Sequence, residues 1–293
     1  MNYFFFPLEK WTNQFVDNWL LPVLGDFFNS FSGVLSIFIN AVTNLFTFIP
    51  AEVIAILLAL LAWRLAGKGI ALFTIIGALY LGSVGLWTGA MQTLSIVIVA
   101  TFFSIVVGVP LGIFTAKNRT LDHIIRPLLD FMQTLPSFVY LIPAILLFGL
   151  GEVPAVISTF VFATPPAVRM TSLAIKQVPA DIVEAAKAFG STSWQLLVKV
   201  QLPNAIPTIM AGINQTIMLA LSMAVIASMI GSPGLGSTVL SGISSVNVGL
   251  GLTGGLGIVV LAIILDRITQ GLGKKHKNKQ STKLTGERKY TNL

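Results

Sequence analysis

Groups able to do covalent or metal chemistry are scarce in this 293-residue chain. Cysteine is absent, which excludes disulfides, thiolate nucleophiles and Cys-ligated metals. The two histidines are isolated: His123 lies between Asp122 and Ile124, His276 among lysines, and neither has the spacing of a metal ligand. A phosphate-cradling loop needs Gly, four residues, then Gly-Lys-Ser/Thr, and both Gly67-Lys68 and Gly273-Lys274 lack the upstream glycine and the following hydroxyl. There is no Gly-x-Ser-x-Gly elbow and no carboxylate pair beside a histidine. The chain is therefore expected to hold no catalytic residues, cofactor or resident metal. Any nucleotide hydrolysis it depends on belongs to a partner.

The pattern that remains is mechanical. Residues 168–204 form the longest charged interruption of an otherwise apolar sequence. Pro179 to Asp181 starts a short helix, Glu184 faces a favourable dipole in its early turns, and Gly190 supplies a left-handed stop. Ser191 or Thr192 can cap a second helix that puts Trp194, Leu197 and Val198 on one side, and Leu202-Pro203 is expected to end it. Two readings stand side by side: a rigid knuckle that passes motion to another protein, or an ordinary hairpin tying two membrane helices together.

The elements that position this segment are membrane helices. Hydrophobic residues make up 55% of the chain and charged ones 10%, against about 25% charged in soluble domains. That excess cannot all fit inside a core, so a lipid-facing surface is expected. A span needs about 20 apolar residues. Spans are placed at 50–63, 70–87, 91–114, 136–150, 153–167, 206–230 and 254–268, the fourth and fifth forming a tight hairpin with Pro143 kinking its first arm. With the knuckle on the cytoplasmic side, 17 of the 18 Lys and Arg residues fall inside, leaving only Lys10 outside.

Within residues 1–49, the polar positions Ser36, Asn40, Thr43, Asn44 and Thr47 line one stripe, read as an amphipathic helix on the outer surface or as a further span with a polar face. No charge lies deep in a span, which removes the usual hardware of proton coupling. Asn214, Gln215 and Thr216 place a polar patch in the sixth span, read as helix packing or as part of a translocation path. Seven of the basic residues follow Gly273, against one acid, Glu287. This tail, 274–293, is read as a cytoplasmic topology marker or as an anionic-lipid contact that responds to salt, not as a nucleic-acid site.

Glu184-Ala185-Ala186, with Gly190 four residues on and Leu202-Pro203 beyond, resembles the signature loop of membrane subunits of bacterial ABC importers. Further stretches, 127–136, 138–144, 212–216 and 263–270, resemble the glycine betaine/proline type of these permeases, and the likeness runs from Trp63 to Gly273. The resemblance implies an all-α polytopic protein with the type I ABC importer permease fold, with about seven transmembrane helices. Residues 50–90 would be peripheral helices and 91–273 the transport core of five. It implies a bacterial plasma-membrane homodimer that works with an ATP-binding subunit on the cytoplasmic side and an extracytoplasmic solute-binding protein. The cargo would be glycine betaine or another osmoprotectant such as choline, carnitine or proline, chosen largely by aromatic cages in the binding protein. Glu184, Ala185, Ala186, Gly190, Leu202 and Pro203 would couple the chain to the ATPase. The outer segment 231–253 would receive the binding protein.

Overall fold

The structure, a computed structural model, describes the backbone of residues 7–290 and the side chains of residues 7–273; every regular element among the described residues is helical. The basic side chains of the tail lie outside the described residues. The N-terminal region is one 41-residue helix composed of α1 (Leu8–Phe15), a π-helical turn (Val16–Leu20) and α2 (Leu21–Phe48). The π turn stands just before Pro22, whose ring and missing N–H would otherwise break the ladder. Leu35 and Ile39 of α2 are buried on the core and Val42 and Phe46 pack beside them. The stripe expected over 34–49 therefore flanks a docking face, in a helix long and apolar enough to cross a membrane.

Next come α3 (Ala51–Ala66) and α4 (Lys68–Ser83), joined at Gly67, whose φ of +100° suits glycine. At 16 residues each they extend about 24 Å, short of the roughly 30 Å of a bilayer core. The long helices are α5 (Trp87–Lys117), α8 (Glu152–Lys176), α11 (Leu202–Ile226) and α13 (Val248–Tyr290). With the N-terminal helix, five helices among the described residues are long and apolar enough to cross, four of them at expected positions.

The expected span 136–150 is corrected. The chain there is a 3-10 turn (Ser137–Tyr140) and α7 (Leu141–Phe148), bent by 108° from α6 (Arg119–Thr134). Counting that bent pair as one crossing raises the total to six. Pro143 lies inside the continuous helical run Ser137–Phe148, just after the 3-10 turn gives way to α7, while the 108° bend falls before that run. The tight connection to α8 is present across Gly149 and Gly151, both at positive φ.

The body is built on α5, α8 and α11, and small residues let their backbones meet. A Cβ on Gly108 would lie 2.8 Å from the Ala167 Cβ; on Gly112, 2.6 Å from the Val168 carbonyl oxygen; on Gly212, 2.5 Å from the Met170 Cβ. The Ser104 hydroxyl donates to the Phe160 carbonyl at 3.3 Å and accepts from Thr164 Oγ1 at 3.2 Å, adding polar contacts between α5 and α8. The segment 231–253, expected as a loop, contains α12 (Leu235–Ser244). Its periodicity is hidden by glycines chosen for close approach: a Cβ on Gly236 would meet the Val225 oxygen at 2.6 Å, and one on Gly242 the Gly251 nitrogen at 2.4 Å. Thr93 of α5 accepts from the Leu235 N–H at 2.9 Å and holds the start of α12.

Candidate functional site

The charged segment folds as two arms around a glycine. Pro179, with φ −52° and ψ 135°, ends the run from α8 and opens α9 (Ala180–Ala188), its carbonyl accepting from the Val183 N–H at 3.3 Å. Asp181 in the first turn and Lys187 in the last both suit the helix dipole. The stop is a Schellman cap: Gly190 N–H donates to the Lys187 carbonyl at 2.9 Å and Ser191 N–H to the Ala186 carbonyl at 3.1 Å, with Gly190 at φ +78°. Left-handed backbone here costs an ordinary L-residue about 1–2 kcal/mol.

Thr192, not Ser191, caps the second arm. Its Oγ1 accepts from the Gln195 N–H at 3.3 Å while the Gln195 Oε1 accepts from the Thr192 N–H at 3.0 Å, a complete capping box for α10 (Ser193–Gln195). Leu202-Pro203 does not end this arm. A π-helical turn (Leu196–Gln201) carries it straight into α11, and that turn accommodates Pro203, which lies inside the continuous helix Ser193–Ile230. Leu197 also departs from the expected common face with Trp194 and Val198. It is buried against Ala174, Ile175, Ala205 and Ile209, which fastens the knuckle to the C-terminal end of α8 and the N-terminal end of α11.

The expected coupling residues separate into two groups. Glu184, Ala185 and Gly190 are exposed and Ala186 half-buried, all on α9 and its cap. Leu202 and Pro203 are half-buried at the base, Leu202 beside the Ala174–Ile175 cluster. Reading from sequence singled out Trp194 on the second arm, which is 71% exposed two residues after the Thr192 cap, but missed Phe189, which is 91% exposed immediately before Gly190. The available signal was two aromatic residues bracketing a glycine turn in a charged segment.

Asn214, Gln215 and Thr216 also diverge. Asn214 Nδ2 donates to Asp266 Oδ1 at 3.1 Å and its Oδ1 accepts from the Thr269 hydroxyl, while Gln270 Nε2 donates to Asp266 at 2.8 Å. That network ties α11 to α13. Thr216 is fully buried and Gln215 exposed.

Residues 108–278 match the family described as the binding-protein-dependent transport system inner membrane component, and this stretch contains the entire knuckle with α8 and α11. The chain belongs to this family. It is 50% identical over 273 residues to the glycine betaine transport system permease of Bacillus subtilis, covering 93% of this chain and 96% of the relative. The glycine betaine/proline betaine permease of Escherichia coli is 48% identical over 273 residues, 93% of this chain and 77% of that one. The glycine betaine/carnitine permease of Listeria monocytogenes is 46% identical over 276 residues, 93% of this chain and 97% of that one. Among solved structures, the MetNI methionine ABC transporter in inward-facing form matches with a TM-score of 0.60 at 22% identity, over 64% of this chain and 94% of that one. That likeness carries the fold: the chain is an all-helical, multi-pass membrane permease of the type I ABC importer class, and family membership makes it a non-catalytic subunit.

Proposed function

We propose that this chain is the membrane permease of an ATP-driven importer for glycine betaine and related osmoprotectants such as carnitine or proline betaine. The observation that carries the reading is an exposed, doubly capped knuckle in a chain about half identical to permeases named for betaine transport. In this reading two copies of the chain assemble, each with an ATPase on the cytoplasmic side, and an extracytoplasmic binding protein delivers the solute. Residues 91–273 are the transport core, 50–90 peripheral helices and 1–49 the outer region that, with α12, meets the binding protein. The C-terminus is cytoplasmic in this reading, its basic tail serving as a topology marker there or as a contact for anionic lipid.

Coupling falls on Glu184, Ala185, Ala186 and Gly190, where small side chains allow a partner surface close to the backbone and the glycine sets the turn. Phe189 and Trp194 supply the apolar anchors, in keeping with the weight aromatic residues carry at interfaces. Leu202 and Pro203 form the base on which the knuckle moves with α11. Gln215 and Thr216 are candidates for the translocation path beside Asn214.

The test is reconstitution of the chain with its ATPase and binding protein in proteoliposomes. ATP-dependent betaine uptake is expected. Betaine flux from the chain alone, without nucleotide, would overturn the proposal in favour of a secondary carrier or channel.

A further inference from the structure

Away from the knuckle, charged side chains concentrate between α6 and the last two turns of α8, around a cavity of about 320 Å³. Asp122 of α6 accepts from Lys176 Nζ at 2.7 Å and from Arg126 Nη2 at 3.3 Å. Asp130 accepts from Arg169 Nη2, and Arg169 Nη1 donates to the Gln133 Oε1 at 2.9 Å. Three cations thus meet two carboxylates, and Asp122 alone answers two of them. Two polar atoms at this cavity are buried without a hydrogen-bond partner among the described residues: Arg169 Nε and the hydroxyl of Ser172, a residue only 7% exposed. An orphaned donor of this kind costs about 1–3 kcal/mol unless something accepts from it. The surplus of one positive charge, with two unused donors beside it, calls for an anionic acceptor with several oxygens.

We propose that this cavity binds a phosphate group. Arg126, Arg169 and Lys176 supply the charge, and Arg169 Nε and Ser172 Oγ donate to its oxygens. The phosphate has two chemical sources, a phospholipid headgroup or free inorganic phosphate. The exposed face of α6 carries Ile124, Leu128 and Phe131 at helical spacing, an apolar stripe suited to acyl chains. The headgroup is therefore the first source to test. The proposal rests neither on the coupling role of the knuckle nor on the identity of the cargo.

The experiment uses the full chain purified in detergent. One arm exposes it to phosphatidylglycerol and phosphatidylcholine and reads the retained lipid by native mass spectrometry. The other adds inorganic phosphate or chloride at equal ionic strength and reads thermal unfolding. Wild type is expected to retain phosphatidylglycerol selectively, to be stabilised by phosphate, or both. Arg126→Gln and Ser172→Ala are each expected to weaken the response at least about fivefold, the loss of one charge-assisted hydrogen bond. Selective lipid retention without a phosphate effect assigns the headgroup; a phosphate effect without lipid selectivity assigns the free anion where the variants weaken it, and a phosphate effect equal in wild type and both variants is general surface exclusion and overturns the proposal. Arg126 is 67% exposed, so its replacement leaves the packing intact. No lipid selectivity and no phosphate effect in wild type would overturn the proposal, as would full responses in both variants.

Discussion

The membrane body and the knuckle use the same residue types for opposite ends. In the body, Gly108, Gly112 and Gly212 are small because another part of this chain occupies the space a side chain would need. In the knuckle, no atom outside its own turn lies within 4 Å of where a Cβ on Gly190 would sit, and Ala185 is exposed. The requirement at Gly190 is conformational, a φ of +78°, and the smallness of Ala185 satisfies nothing within the chain. Small residues in the body record contacts already made. Those in the knuckle leave room for a contact still to be made, which is why damage to the two regions should be distinguishable.

The largest effect is expected in the body. Gly112→Val drives a side chain into the Val168 carbonyl and the Thr171 Cβ, both at 2.6 Å, and backbone has nowhere to retreat. A loss upward of about 3 kcal/mol is expected, read as aggregated protein on size exclusion. Gly190→Pro should instead yield well-folded protein whose uptake falls at least about tenfold, because proline can adopt neither the φ nor the bond to Lys187. Aggregation of this variant, or normal uptake by it, would erase the contrast between the regions.

Trp194→Ala sharpens the comparison from the partner's side. An exposed aromatic has little to lose within the chain, so unfolding should be unchanged while ATPase association weakens by about 2 kcal/mol, roughly thirtyfold. Asn214→Ala should do the reverse on a smaller scale. Removing the link between Asp266 and Thr269 lowers stability by about 1–2 kcal/mol in a denaturation measurement on the purified chain, with ATPase binding intact.

The smallest effect concerns pH. The hydrogen bond from Lys176 holds the Asp122 carboxyl below its ordinary value, helped by the charges of Lys176, Arg126 and His123. A carboxylate whose folded pKa is depressed contributes stability that is full above its unfolded pKa, about 4, and is lost as pH falls through the lower folded value. Wild type should therefore lose a modest increment on acidification below about pH 4 that Asp122→Asn lacks, measured as a difference in unfolding temperature between the two.

The legible part of this protein was written in local signals. The glycine stop after α9, the Thr192 cap and the apolar lengths of α5, α8, α11 and α13 act within a turn or along one continuous run. Two arms joined at Gly190 follow from them without any knowledge of neighbours. Where the reading failed, the deciding atoms were distant in sequence. Leu202-Pro203 has the composition of a helix end, yet a π turn absorbs the proline and Leu197 fixes the arm against α8 and α11, so the helix runs on. Residues 235–244 have the glycine and serine content of a loop, yet their glycines are there to admit the backbones of Val225 and Gly251. Asn214 left helix packing and path lining both open in the sequence, because the partners it bonds, Asp266 and Thr269, lie 52 and 55 positions away.

Composition and capping by themselves determined that this is a membrane protein with a stiff, charged, glycine-jointed projection. Tertiary structure alone decided which apolar groups of that projection stay exposed, where its base is fastened and which polar groups in the spans are already taken. The reason is physical: a cap is closed by residues three to five positions apart, whereas burial and hydrogen-bond satisfaction are settled by whichever helix packs alongside.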